Sequence, residues 1–234
     1  MRFPDRSRRR LILAAGSSAL LGACAMPTAV PAPASPLAPP RVRVGDRWRY
    51  GVVDLYRNQL IDELTMQVIT IEPQLRLSVT ASDGSQRSQE VYADAWRAIQ
   101  DPFYDLTAIF RAANPLLPSP LQQGANLRLT NAWKPPGKSG WLFWSEWIDA
   151  LQWERVSVPA GDFTALRVLR RIAYDHPDVF RLSNERTETL WYAPQVNRWV
   201  RREWTGSYRW PGMRMHATLR DDWVEHKLLE YRPA

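Results

Sequence analysis

The chain has 234 residues and a formal net charge of +7, from 31 Lys and Arg against 24 Asp and Glu. Residues 1–23 hold five arginines and one aspartate, so the charge beyond them falls from +7 to +3 and forms no dense basic stripe, which argues against nucleic-acid binding. Cys24 is the single cysteine, so no intramolecular disulfide can form, and twelve tryptophans are several times what a domain of this size ordinarily carries.

The first segment has the order of a secretory signal: a basic stretch with Arg2, Arg6, Arg8, Arg9 and Arg10, an apolar run over 11–21, then the small residues Gly22 and Ala23. That run is about half the ~20 residues needed to cross a bilayer. The sequence Leu21-Gly22-Ala23-Cys24 resembles the lipobox of bacterial lipoproteins. The resemblance implies that 1–23 is a cleaved signal peptide and that Cys24 is acylated, with palmitate among its chains, as the membrane anchor. Ala25 follows where an Asp would imply inner-membrane retention, so the expected location is the periplasmic face of the outer membrane. Residues 7–13, Ser-Arg-Arg-Arg-Leu-Ile-Leu, also resemble a twin-arginine signal, leaving export open between that route and Sec. Residues 24–40 then form the acylated cysteine and a segment with six prolines between 26 and 40. Its composition predicts an extended tether that pairs with no sheet and holds the folded part off the lipid surface.

Residues 41–234 read as one β-rich domain with no internal linker. After a turn at Gly45-Asp46, residues Trp48, Tyr50 and Val52 recur every second position, the period of one strand face. In 61–71, Leu64, Met66 and Val68 take one face and Thr65, Gln67 and Ile69 the other, until Pro73 stops the run. Residues 75–80 and 86–92 flank Asp83-Gly84, a hairpin signal. Asp101-Pro102 followed by Phe103, Leu106, Ile109 and Phe110 has a cap residue and helical spacing, which predicts a short helix ended by Asn114-Pro115. Residues 126–133 read as a strand. Trp141, Trp144, Trp147, Ile148 and Leu151 fit a helical stripe while their flanks fit strands, and periodicity leaves 141–151 open.

From Gln152 onward the pattern is strand, turn at 159–161, strand, with Leu166, Val168, Ile172 and Tyr174 sharing a face and Arg170 among them. Residues 185–192, a turn at 193–197, and 198–208, 213–223 and 227–231 continue it. Short connections favour an antiparallel meander, which must curl or close to protect its edges. The expected fold class is mainly β, a curved antiparallel meander sheet or half-barrel with one or two short helices.

Three motifs, Val44-Gly45-Asp46-Arg47-Trp48-Arg49-Tyr50, Val158-Pro159-Ala160-Gly161-Asp162-Phe163 and Trp191-Tyr192-Ala193-Pro194-Gln195-Val196, resemble those of a domain of unknown function in bacterial envelope lipoproteins. The resemblance covers most of 42–210. It implies a fold similar to the half-barrel of the lipoprotein-localisation factors of the Lol A and Lol B kind, whose concave face binds acyl chains. The single helix candidate departs from that pattern, and no catalytic residue is carried over.

Chemistry-bearing constellations are sparse. His176, His216 and His226 lack metal-ligand spacing, with Asp222, Glu225 and His226 the tightest cluster, and there is no serine elbow or phosphate loop. The expectation is a non-catalytic outer-membrane lipoprotein without cofactor or metal, attached to the membrane and partnered by a lipid or another envelope protein. Its ligand, a lipid, acyl chain or lipoprotein, would sit in the sheet's concavity. The alternatives are a scaffold or accessory subunit of an envelope complex, and a glycan or peptidoglycan binder using surface indoles. Trp48, Tyr50, Val52, Val200, Trp204 and Tyr208 alternate in phase and are expected inward, lining whatever cavity exists. Arg202 shares that phase, so its charge must be ion-paired or contact an anionic head group.

Overall fold

The computed structural model describes residues 28–212 and 217–234, so Cys24 and His216 lie outside the described residues. A two-residue strand, β1 (Thr28–Ala29), precedes twelve long ones. These are β2 (Arg47–Asp54), β3 (Gln59–Thr70), β4 (Leu75–Ala81), β5 (Gln86–Tyr92), β6 (Arg97–Asp101) and β7 (Ala108–Pro115) in the first half. The second half contains β8 (Asn126–Lys134), β9 (Leu142–Val158), β10 (Gly161–Tyr174), β11 (Leu182–Ala193), β12 (Arg198–Trp210) and β13 (Ala217–Arg232). Each pairs antiparallel with the next, and β13 pairs with β2, closing a twelve-stranded up-and-down barrel.

The mainly β, antiparallel meander is as expected, but the sheet closes completely where a curved sheet or half-barrel was expected. Closure removes the exposed edges that a half-barrel would have to cover. The short helix over 103–110 is corrected as well. Asp101 ends β6 and its carboxylate accepts the Phe103 N–H at 2.9 Å, so the cap signal belongs to a turn. Ala108 and Ile109 then pair with Asp101 and Gln100. Sheet pairing overrides the i, i+3 spacing there. Among the described residues the helical element is one 3₁₀ turn at Pro194–Val196. Of the open stretch 141–151, all but Trp141 lies in β9, with Trp144 and Ile148 buried and Trp147 exposed on opposite faces.

The proline-rich segment also departs from expectation. Thr28 and Ala29 pair with Arg155 and Glu154 of β9, the Val30 N–H reaches the Trp153 carbonyl at 2.9 Å, and Leu37 bridges Leu121. The reason is an uncovered edge: β9 has 17 residues and its neighbour β8 only 9, with pairing that stops at Asp149. The segment is extended but laid on the barrel wall.

The β9–β10 turn reaches β13, where the Ala160 N–H donates to the Leu228 carbonyl at 3.1 Å. Gly161 in that turn has φ +127° with nothing within 4 Å of a would-be Cβ, so its requirement is conformational rather than steric. Gly161→Val should therefore lower the urea unfolding free energy by about 1 kcal/mol or more. An unchanged midpoint would refute this account of the turn.

Candidate functional site

The inward positions follow from strand alternation. Trp48, Tyr50 and Val52 are buried on β2, and Val200, Arg202 and Trp204 on β12, whereas Tyr208 is half-buried with the Arg181 guanidinium 4.4 Å over its ring. Trp48, Tyr50, Val200 and Arg202 sit within a packed interior, while Val52 and Trp204 are buried there and also border a cleft. The Trp48 indole donates to the Val196 carbonyl at 2.9 Å and the Tyr50 hydroxyl to that of Trp199 at 2.6 Å. Eight of the twelve tryptophans are buried, and Trp48, Trp96 and Trp199 meet edge to face.

A ladder of buried charge runs between these rings. Asn114 and the Trp144 indole donate to Glu146, which accepts from Arg170 at 2.5 Å. Arg170 also bonds Glu188, which bonds Arg202, and Arg202 reaches Asp101 at 3.1 Å. Arg186 stands 3.6 Å from Glu188 and is sandwiched between Tyr104 and Trp204. Separately, Arg198 of β12 bonds Glu90 of β5 at 2.6 Å, and Tyr92 donates to the same carboxylate. Arg202 is therefore in an ion pair, the first of its two expected environments.

Strands β12 and β5 are about as far apart around the barrel as strands can be. An Arg and a Glu side chain together span roughly one sheet-to-sheet spacing of ~10 Å. The walls are pressed together at that level and the space between them is side chain. Arg198 is surrounded by Trp199 at 4.2 Å, Trp96 at 4.7 Å and Trp48 at 5.3 Å. Its Nε and Nη1 have no hydrogen-bond partner among the described residues, and the rings' negative faces compensate in part. Burial raises the Glu188 carboxyl, but Arg202 and Arg170 outweigh it and hold it lowered to about 2. Burial, with Arg202 next, holds His226 well below the ordinary imidazole range, against the rings of Phe103 and Trp204.

Two clefts border the packed interior. One, of about 300 Å³, is lined by Val52, Phe103, Tyr104, Trp204, Asp222 and His226. Another, of about 840 Å³, lies where Leu37 and Pro39 meet Trp96, Leu117, Leu121 and Leu127. The cluster Asp222, Glu225 and His226 is not brought together. Glu225 bonds Arg201 and Lys227, while Asp222 accepts from Trp204 and shares the smaller cleft with His226. His176 stands apart, 3.1 Å from Asp105. Sequence reading missed Glu90, Asp101, Glu146 and Glu188. The available signal was phase, since Glu146 alternates with Trp144 and Ile148, and Glu188 with Leu190.

The site and fold define a closed antiparallel barrel whose interior is filled by indoles and ion-paired arginines. No family model and no curated protein matches the sequence. Among solved structures, the hypothetical lipoprotein YmcC from Escherichia coli gives a TM-score of 0.44 at 10% identity, over 81% of this chain and 86% of its own. A chain described as a lipoprotein from Parabacteroides distasonis gives 0.42 at 14% identity, over 83% and 97%. An exported protein of YmcC-like fold from Bacteroides fragilis gives 0.40 at 12% identity, over 84% and 99%. At such scores no residue role or activity is carried over from them.

Proposed function

We propose that this chain is a non-catalytic lipoprotein, anchored through acylated Cys24 on the periplasmic face of the outer membrane, that serves as a scaffold or accessory subunit of an envelope complex. The observation that carries this reading is the filled interior. Trp48, Tyr50, Trp199, Arg198 and Arg202 are each at most 1% exposed and occupy the space an acyl chain would need. Recognition then falls to the outer face and the clefts of the barrel. A ligand-binding reading retains one specific support, the 840 Å³ cleft lined by Leu37, Trp96, Leu117 and Leu121, which suits an amphipathic group.

The anchor is tested by fractionation, where Cys24→Ser should move the protein from membrane to soluble periplasm. Continued membrane association would overturn it. The scaffold reading expects native protein extracted in mild detergent to migrate in an assembly, and the soluble variant to show no saturable fluorescence change with long-chain lipids. A monomer whose emission saturates with lipid would restore the ligand-binding reading.

A further inference from the structure

The outer face of β8–β10 carries an exposed row that the buried interior does not explain. Phe143 (49% exposed), Trp147 (42%) and Leu151 (36%) follow one another along β9, with Trp141 just before it. Cations lie over the indoles: Arg128 is 4.6 Å from the Trp147 ring, Arg171 is 5.9 Å from it, and Lys134 is 4.9 Å from that of Trp141. The register puts Arg128 and Arg171 on either side of Trp147, and Asp149 is the acid on this stretch, paired with Arg171. The result is an aromatic strip with a cationic margin.

The same strand receives the N-terminal segment, since Thr28 pairs with Arg155. Cys24 precedes Thr28 by four residues, a length that spans at most about 14 Å fully extended. Because Thr28 lies opposite Arg155 and Ala29 opposite Glu154, the chain back to Cys24 leads away from Trp147, so an acylated Cys24 would hold the Arg155 end of β9 close to the bilayer, and the aromatic strip meets the surface when the strand lies along it.

We infer that the β8–β10 outer face docks on the membrane surface, with Trp141, Phe143 and Trp147 in the interface and Arg128, Lys134 and Arg171 on anionic head groups. Amphipathic rings and basic side chains are the groups that such an interface selects. Sugar stacking is disfavoured because guanidinium groups already cover Trp147. This inference rests on the lipid anchor proposed above.

Acylation leaves no other thiol in the mature chain, so one introduced cysteine reports its own position. Full-length acylated protein carrying Ser145→Cys, on the outer face of β9, or Thr65→Cys, on the opposite strand β3, is labelled with a polarity-sensitive dye. It is then placed in phosphatidylethanolamine–phosphatidylglycerol vesicles containing a lipid-borne quencher. The Ser145→Cys label should shift to the blue and be quenched several-fold more than the Thr65→Cys label. The difference should shrink in vesicles without phosphatidylglycerol and in an Arg128→Glu/Lys134→Glu background. Equal quenching at both positions on membrane-bound protein overturns the docking face and leaves the anchor standing. Protein that does not partition into vesicles overturns the anchor and this inference together. A Ser145→Cys label that responds to soluble peptidoglycan fragments and not to vesicles overturns it in favour of a glycan.

Discussion

Glu188→Gln should lower the unfolding free energy by about 3–5 kcal/mol, the range for breaking a buried ion pair by removing one partner. Glu188 is fully buried and is shared by Arg170, Arg202 and Arg186. The amide keeps the shape and removes the charge, so three guanidinium groups lose their common counter-ion. Arg186 has no other carboxylate partner among the described residues, whereas Arg170 keeps Glu146 and Arg202 keeps Asp101. Against a total stability of 5–15 kcal/mol the loss is large. Urea midpoints give the measurement, and a fall below about 1 kcal/mol would show that the ladder is not coupled as described.

Acid should act on the same groups. Glu188 is lowered from 4.5 to about 2 in the fold, so the unfolded chain binds the proton first. Its contribution is complete above about pH 4.5 and is lost as pH falls through about 2. His226 lies well below 6.5 in the fold, so it too is protonated first on unfolding, and stability starts to fall below about pH 6.5. His176, lowered chiefly by burial and then by Arg181, adds with the same sign. Midpoints measured against pH should thus decline in an upper stage that His226→Phe reduces and a lower stage that Glu188→Gln flattens. A pH profile that His226→Phe leaves unaltered would mean that the ring is not held neutral by burial.

The strand runs were legible because half-buried strands alternate. Trp48, Tyr50 and Val52 do so on β2, and Leu64, Met66 and Val68 on β3, all buried as their phase requires. Turns were legible where backbone chemistry is special, as at Gly84 and Gly161, both at positive φ. Closure was not, because it depends on β8 meeting β9 and β13 meeting β2, and β13 and β2 are joined only by the whole length of the chain. The distinction between a groove and a filled barrel was hidden for a related reason. Alternation shows that Trp48 and Arg202 point inward, but not that the opposite wall is close enough for Arg198 to meet Glu90. The tether misled because prolines exclude regular pairing, yet Thr28 and Ala29 lie between them and found a bare edge.

The cross-barrel pair provides the second large effect. Glu90→Leu alone should destabilise by about 3–5 kcal/mol, since it strands the Arg198 charge among indoles and leaves the Tyr92 hydroxyl without its acceptor. Arg198→Met alone should have an effect of similar size, leaving Glu90 fully buried with Tyr92 as its remaining side-chain donor. Together, Glu90→Leu/Arg198→Met should come within about 1–2 kcal/mol of the parent, because two desolvated charges are replaced by apolar groups of comparable length. The double-mutant cycle then yields a coupling of several kcal/mol between residues 108 apart in sequence. Simple additivity of the two losses would refute the pairing. If the coupling is large and the double variant is nearly as stable, the pair's contribution is structural specificity: it fixes which stretch of β5 faces which stretch of β12. Hydrogen exchange at the Trp199 and Val91 amides should then quicken in the double variant while the midpoint hardly moves, separating a role in holding the walls in register from one in net stability.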